Sequence, residues 1–406
     1  MAASTAPVYY DPYDYEVDVN AHEVWRRMRD EAPLYYNERF DFFALSRYDD
    51  VLGSMIDVET FSSAHGIVLE MMTEGEFPAP AMIFMDPPRH TVLRKLVSRA
   101  FTPRAIENLE TRIRALCAEM LDPFTGSDVF DYVNDFGALL PPTVILALIG
   151  FPEGHAAEWR TNVDERFHLA DGASPEDLPD ADDFYSNSMS LQSTFSFLPE
   201  LMQQRRDDPQ DDLVSALLHA EVNENGESRR LSEEEFFNFV GLLAGAGTET
   251  VARLLSWAAV ILARNPDQRR LLVDEPSLIP NAVEELLRYE APSPINARFV
   301  TRDVEFYGTK VPAGSKLALL NASANRDERH FADADRFDVR RQIDRHLSFG
   351  YGQHFCIGAS LARLEARIAL EETLKRFPTW TIDESELRWV HTSTVRGFHN
   401  VPIHCA

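Results

Sequence analysis

Residues 232–265 set the scale of the molecule. Their apolar side chains recur at helical spacing and no proline interrupts them before Pro266. Ser232 followed by Glu235 has the form of a capping box, and Asn265–Pro266 is a stop signal. The pattern predicts one uninterrupted helix, about 50 Å long at 1.5 Å per residue. Such a helix is long enough to cross an entire globular domain.

The rest of the chain is consistent with a single large core. Of the 406 residues, 45% are hydrophobic and 26% charged, a globular balance. No Gly/Ser linker and no repeat of solenoid or propeller period divides it, so residues 1–406 are expected to form one domain. Helical patterns occupy residues 17–31, 46–55, 88–101, 105–121, 213–222, 274–289 and 357–376. Short strand patterns occupy 34–36, 42–45, 304–307 and 317–321, with further pieces within 391–404. The expected fold class is mainly α with minor β.

Charge and cysteine usage exclude several classes. A net charge of −27 repels nucleic acid and anionic membrane surfaces, so neither is expected as a partner. The three cysteines, Cys117, Cys356 and Cys405, form no CxxC pair. A disulfide framework or zinc cluster is therefore not expected, and a reducing cytoplasm is. The first fifteen residues are polar and acidic, without a signal-peptide pattern, and no apolar run predicts a membrane anchor.

Chemistry concentrates in Phe349-Gly350-Tyr351-Gly352-Gln353-His354-Phe355-Cys356-Ile357-Gly358. Glycines on both sides of the cysteine permit a tight backbone that can lie flat against a planar ligand. The helical pattern resumes directly after Cys356, and a sulfur at a helix N-terminus is favoured as thiolate by the dipole and the free N–H groups. An isolated cysteine on a Gly-rich turn is usually a small buried hydrophobe; the spacing around this one argues otherwise.

Phe-Gly-x-Gly-x-His-x-Cys-x-Gly resembles the haem-binding signature of the cytochrome P-450 superfamily. The resemblance implies a soluble, bacterial-type haem-thiolate monooxygenase carrying haem b (iron protoporphyrin IX). Cys356 would be the axial ligand to the iron, with Phe349, Gly350 and Gly358 shaping the loop and His354 contacting a haem propionate. It also implies the family fold, a helix-rich triangular prism with haem between the long central helix and the final helix.

Other segments follow in family order. Ala246-Gly247-Thr248-Glu249-Thr250, in the middle of the long helix, resembles the oxygen-activation motif. Gly245 and Gly247 each cost about 1 kcal/mol relative to alanine in a helix interior, a poor choice for stability alone, and they allow a local distortion. Thr250 would hold bound dioxygen and Glu249 relay protons, with Ala246 and Gly247 giving room; Val251 stands where the family often has a second hydroxyl. Glu285 and Arg288 resemble the family's Glu-x-x-Arg pair, and Arg336 the third member of that buried structural triad. His90 and Arg94, after Asp86-Pro87-Pro88, and Arg298 resemble propionate partners. Taken singly, each of these charged residues reads equally as a solvated surface group or a surface ion pair.

The family's substrate regions fall here on Ile67, Val68, Leu69, Met71, Met72 and Phe77, then Phe167 and Leu169, then Pro294, Ile295 and Asn296. Leu243, Ala246 and Val395 would complete the wall. Core packing is an equal reading for each apolar residue. An apolar, Met-rich lining suits a bulky, flexible, lipid-like substrate such as a fatty acid, terpenoid or steroid better than a polar metabolite. Arg94, Lys95, Arg99, Arg340, Arg341, Arg345, Arg363 and Arg367 are expected around the cysteine side of the haem, a basic patch able to steer an acidic protein. No flavin or iron–sulfur segment is visible, so a ferredoxin and ferredoxin reductase drawing on NAD(P)H are expected in trans. A peroxide-driven peroxygenase of the same fold, or a non-catalytic haem sensor or apolar-ligand carrier, are the competing readings; the Glu249–Thr250 pair argues against them.

Overall fold

The computed structural model describes residues 6–77, 81–98, 101, 106–151, 154–167, 197–210, 212–224, 226–390, 392 and 394–405. Helices of seven or more residues among them are α1 (Ala21–Glu31), α2 (Tyr48–Ile56), α3 (Arg89–Ser98), α4 (Glu110–Leu121), α5 (Leu140–Ile149), α6 (Ala156–Phe167), α7 (Leu198–Asp207), α8 (Leu213–His219), α9 (Glu233–Arg264), α10 (Pro266–Asp274), α11 (Ile279–Tyr289) and α12 (Ala359–Arg376). The principal sheet contains β1 (Leu34–Asn37), β2 (Phe42–Leu45), β3 (Phe61–Ser62), β4 (Ile295–Val300) and β5 (Lys316–Leu320), in the order β1-β2-β5-β4-β3. The fold is mainly α with minor β, as the pattern predicts.

The long helix forms as predicted. Ser232 Oγ accepts the Glu235 N–H at 3.1 Å while Glu235 returns a bond to the Ser232 N–H at 2.9 Å, a closed capping box. The two halves of α9 then diverge. Every residue from Val251 to Leu262 is buried, so this half sits in the core on all sides. The preceding half is amphipathic and turns one face to a cavity. Burying each large apolar side chain contributes about 1.5–3 kcal/mol, so a charge at Leu255, which is 0% exposed, would dismantle the centre. By length and composition α9 could cross a membrane; 78% of its apolar window is instead buried within the protein.

Two readings shift. The predicted helix at 17–31 divides at Asn20 into Tyr15–Val19 and α1. The final helix begins at Ala359, capped by Gly358, rather than directly after the cysteine.

Distant parts of the chain close on one another. The strand β5 runs parallel to β2 and antiparallel to β4, so it pairs residues near both chain thirds. The strand Pro402–Cys405 pairs with Val129–Asp131. Glu290, at the end of α11, binds His22 at 2.8 Å, Arg326 at 2.9 Å and Arg396 at 2.6 Å. Burial alone would raise this carboxyl, but His22, Arg396 and Arg326 outweigh it and hold it at about 2.

Candidate functional site

The cysteine loop is built by two left-handed glycines. Gly350 has φ +65° and Gly352 φ +71°, and a Cβ at Gly352 would lie 3.2 Å from the Met55 carbonyl oxygen. Both conditions select glycine. Gly358 differs: its φ is −83°, and a Cβ there would sit 3.9 Å from the Cys356 sulfur. Conformation therefore does not require glycine at 358. The Cys356 N–H donates to the Phe349 carbonyl at 2.9 Å, which closes the loop on itself. Burial raises the Cys356 thiol above its ordinary value, while the Gly358 N–H, Arg94, Arg363 and the Ala359 N–H pull it back.

Above this loop lies a cavity of about 790 Å³. Cys356, Phe349, Gly350 and Gly358 line one side of it, and Ala246, Gly247, Glu249 and Thr250 of α9 line another. His90, Arg94, Arg298 and His354 also reach it. The tertiary structure thus gathers residues from α3, β4, α9 and the cysteine loop around one space.

The charge distribution in that space has one sign along one edge. His90 is 2% exposed, and neither of its ring nitrogens has a hydrogen-bond partner. His354 packs against it, ring centroids 4.2 Å apart, with its Nε2 also unpartnered. Arg298 donates to the carbonyl of its own neighbour Ala297 at 2.7 Å. Asp86 acts electrostatically on His90 and Arg298, but its oxygens are engaged by the Ser62 hydroxyl and the Ser63 N–H. Burial, followed by mutual repulsion, drives His90 down to about 4 and His354 to about 3; burial lowers Arg298 to about 10. Four desolvated nitrogen side chains that Asp86 only partly balances suit a ligand edge bearing carboxylates.

The mid-helix motif remains regular. No break occurs in α9; instead Thr248 Oγ1 donates to the Ala244 carbonyl at 2.8 Å and Thr250 Oγ1 to the Ala246 carbonyl at 2.9 Å. The expected local distortion does not appear; the two hydroxyls bond back to carbonyls one turn earlier in a continuous helix. A Cβ at Gly245 would meet nothing within 4 Å, and one at Gly247 only Ile145 at 3.4 Å. Tight helix packing does not explain either glycine.

Several sequence-based assignments need correction. Arg336 points outward, its side chain 66% exposed and paired with Asp338. Arg341 takes its place, with Nε 3.1 Å from Glu285 Oε1 and further bonds to the Ala332, Asp333 and Arg336 carbonyls. Glu285 and Arg288 are buried and bidentate as expected, at 2.6 and 2.9 Å. Leu69 does not line the cavity; it starts a short 3₁₀ turn, Leu69–Met71, whose tight winding sends it to the cluster around Tyr10 and Trp25. Met72 also packs there, whereas Met71, Ile67, Val68 and Phe77 reach the cavity. Leu243, Ile295, Asn296 and Val395 line it and Pro294 does not. The side chain of Phe167, and Leu169, lie outside the described residues.

The basic patch is a set of ion pairs. Arg340 binds Glu275, Arg363 binds Glu284, and Arg367 binds Glu110 and Glu371. Lys95 is exposed, and Arg99 lies outside the described residues. Lysines and arginines on an acidic chain find carboxylates, and spacing along the sequence does not reveal which.

The structure adds two residues that sequence reasoning missed. Trp159, on α6, donates its indole N–H to Thr248 Oγ1 at 3.1 Å, tying a cavity wall to the mid-helix motif. Glu365, on α12, is buried with its Oε2 unpartnered, and burial raises its carboxyl well above the ordinary range. Nothing local in the sequence marks either.

Comparison with known proteins gives a consistent result. The cytochrome P450 family profile matches residues 38–398. Cytochrome P450 123 of Mycobacterium tuberculosis is 40% identical over 396 residues, 97% of this chain and 96% of the relative. Cytochrome P450 107B1 of Saccharopolyspora erythraea is 36% identical, covering 94% of each chain. Among solved structures, the cytochrome P450 PksS of Bacillus subtilis, named for bacillaene polyketide synthesis, superposes with a TM-score of 0.86 at 31% identity. It covers 98% of this chain and 100% of its own. CYP109Q5 from Chondromyces apiculatus superposes at 0.84 with 33% identity, covering 98% of each.

Proposed function

The chain belongs to the cytochrome P450 family, hence to the haem-thiolate monooxygenases, and on that premise we propose that Cys356 is its axial sulfur and the cavity above it the reaction chamber. The observation that carries this reading is the row of desolvated donors, His90, Arg94, Arg298 and His354, beside the cysteine loop. Haem b brings two propionates, the acidic edge these four residues lack. The Phe349 carbonyl accepts the Cys356 N–H, and Gly350 and Gly352 let the loop lie close to a flat macrocycle. When bound, the haem supplies dioxygen activation and insertion of one oxygen atom into substrate.

The protein's part is positioning and proton handling. Thr250 carries its hydroxyl at the cavity wall and must turn from the Ala246 carbonyl to donate elsewhere. Glu249 lines the same wall and passes protons towards it from the Arg253 side. Ala246 and Gly247 keep this stretch of wall low.

The substrate is a small apolar, lipid-like molecule. Met71, Phe77, Leu243, Ile295 and Val395 form an apolar wall around the space opposite Cys356. Among the described residues, Arg94 and Arg298 are the only Lys or Arg lining the cavity, and the propionates claim both. Fatty acids, terpenoids and steroids all fit such an apolar wall. Electrons come from NAD(P)H through a separate ferredoxin and ferredoxin reductase, the kind of redox partner that bacterial members of the family typically need. The compartment is the cytoplasm.

The test begins with the reduced, carbon monoxide-bound spectrum of the wild type and Cys356→Ser. The wild type should show the thiolate-type band and the variant should lose it, because a serine oxygen is a poor donor to this iron. A normal band in purified Cys356→Ser sinks the assignment. Titration of terpenoid, steroid and fatty-acid sets against the haem spectrum, then turnover with ferredoxin, reductase and NADPH, tests the substrate class.

A further inference from the structure

We infer that Arg363, held by Glu284, is a positioning residue that sets a positive charge behind Phe349 and so restrains electron donation from the Cys356 sulfur. The inference rests on the reading that Cys356 ligates haem.

Two consecutive glutamates on α11 serve two different arginines. Successive helical residues point about 100° apart. Glu285 turns inward to Arg288 and Arg341, while Glu284 faces α12 and the cysteine loop. Arg363 donates its Nε to Glu284 Oε1 at 2.7 Å and its Nη2 to Oε2 at 2.9 Å, a bidentate grip. The same carboxylate meets His346 Nε2 at 3.2 Å. His346 Nδ1 accepts the Ser348 N–H at 3.2 Å, so its Nε2 carries the hydrogen and donates to Glu284. Burial would raise the Glu284 carboxyl, yet the hydrogen bonds from His346 and Arg363 hold it at about 2. The carboxylate stays ionised and the guanidinium stays fixed.

That fixed guanidinium lies over the Phe349 ring, its carbon 4.5 Å from the ring centroid. Phe349 in turn is joined to Cys356 by the 2.9 Å N–H bond across the loop. An ion pair of half-exposed side chains ordinarily contributes about 1 kcal/mol or less, and this one would be unremarked on that ground. Its placement distinguishes it: the guanidinium lies on the ring of Phe349, the residue whose carbonyl accepts the Cys356 N–H. The member of the pair that touches the Phe349 ring is the cation. A cation near a thiolate stabilises charge on sulfur, and less of that charge reaches a bound iron.

The test compares wild type, Arg363→Gln, Arg363→Met and Arg363→Lys as haem-loaded proteins. Two properties are read without any redox partner or turnover: the midpoint potential of the iron couple and the carbon–oxygen stretching frequency of bound carbon monoxide. Gln and Met should each shift the potential to more negative values and lower the stretching frequency, since the sulfur then donates more strongly. Lys, which restores the charge, should return most of both shifts. Met keeps an apolar stem on the ring and stands in if Gln fails to retain haem. Wild-type values in the neutral variants overturn the inference; so does a Lys variant indistinguishable from Gln, which would assign the effect to packing. Absence of the thiolate-type band in the wild type would instead strike the Cys356 assignment itself, and this inference with it.

Discussion

Glu249 and Arg253 face each other across one turn of α9, with Arg253 Nε and Nη2 at 3.2 and 3.3 Å from the two carboxylate oxygens. Their side chains are 5% and 0% exposed. Arg253 is further fixed by its Nη1 bond to the Phe398 carbonyl at 2.5 Å. The carboxylate lines the cavity, but its charge is balanced from the side away from it. An acid arranged this way can carry protons only by moving between Arg253 and the cavity.

Glu249→Gln should therefore slow turnover by about 10²-fold, the scale of a lost acid–base group. Substrate affinity, read from the haem spectrum, should remain as in the wild type, and the solvent isotope effect on turnover should change. Equal turnover in both proteins would remove Glu249 from the proton path.

Thr250→Ala removes the hydroxyl that now rests on the Ala246 carbonyl. Alanine is the better helix former, so folding and haem retention should survive. NADPH should then be consumed with hydrogen peroxide as the main product, while Thr250→Ser keeps much of the coupling. Peroxide yield per NADPH is the deciding measurement; an unchanged yield in the alanine variant assigns oxygen handling elsewhere.

The corrected triad predicts an asymmetry between two neighbouring arginines. Arg341→Ala leaves Glu285 with one of its two cationic partners and takes one hydrogen bond from each of three carbonyls, and should cost about 3 kcal/mol. Arg336→Ala removes an exposed side chain and should stay within about 0.5 kcal/mol of wild type. Urea denaturation of both variants checks this, and similar losses would restore Arg336 to the triad.

His90 makes the protein without haem sensitive to acid. Arg94, His354 and Arg298 crowd the same edge, and Asp86 only partly offsets them. Burial holds folded His90 at about 4, against an ordinary value of 6.5. Between those values the unfolded chain binds the extra proton, so stability falls as pH drops from about 6.5 to 4 and is fully present above 6.5. Propionates at this edge should raise His90 and flatten the dependence. Melting temperatures at pH 7.5 and 5 should separate more for the haem-free than the haem-loaded protein, and less for haem-free His90→Asn. Parallel curves for the two wild-type forms would place the propionates away from His90.

Local rules were enough for the elements that carry their own signals. The capping box and stop at Pro266 define α9 from the chain alone, because hydrogen bonds three residues apart and a missing N–H do not depend on distant partners. The cysteine loop is equally local: Gly350 and Gly352 adopt backbone that other residues avoid. What the sequence could not determine is which way side chains turn once helices pack. Met71 and Leu69 are two apart and equally apolar, yet a 3₁₀ turn sends one to the cavity and the other to a separate core. Arg336 and Arg341 carry the same charge near the same acid, and only the path of the intervening loop buries the second. Consecutive Glu284 and Glu285 are chemically identical, and the packing of α11 against α12 gives one to the cysteine loop and the other to the core. Long flexible side chains reach many partners at little difference in energy, so their choice belongs to the assembled structure.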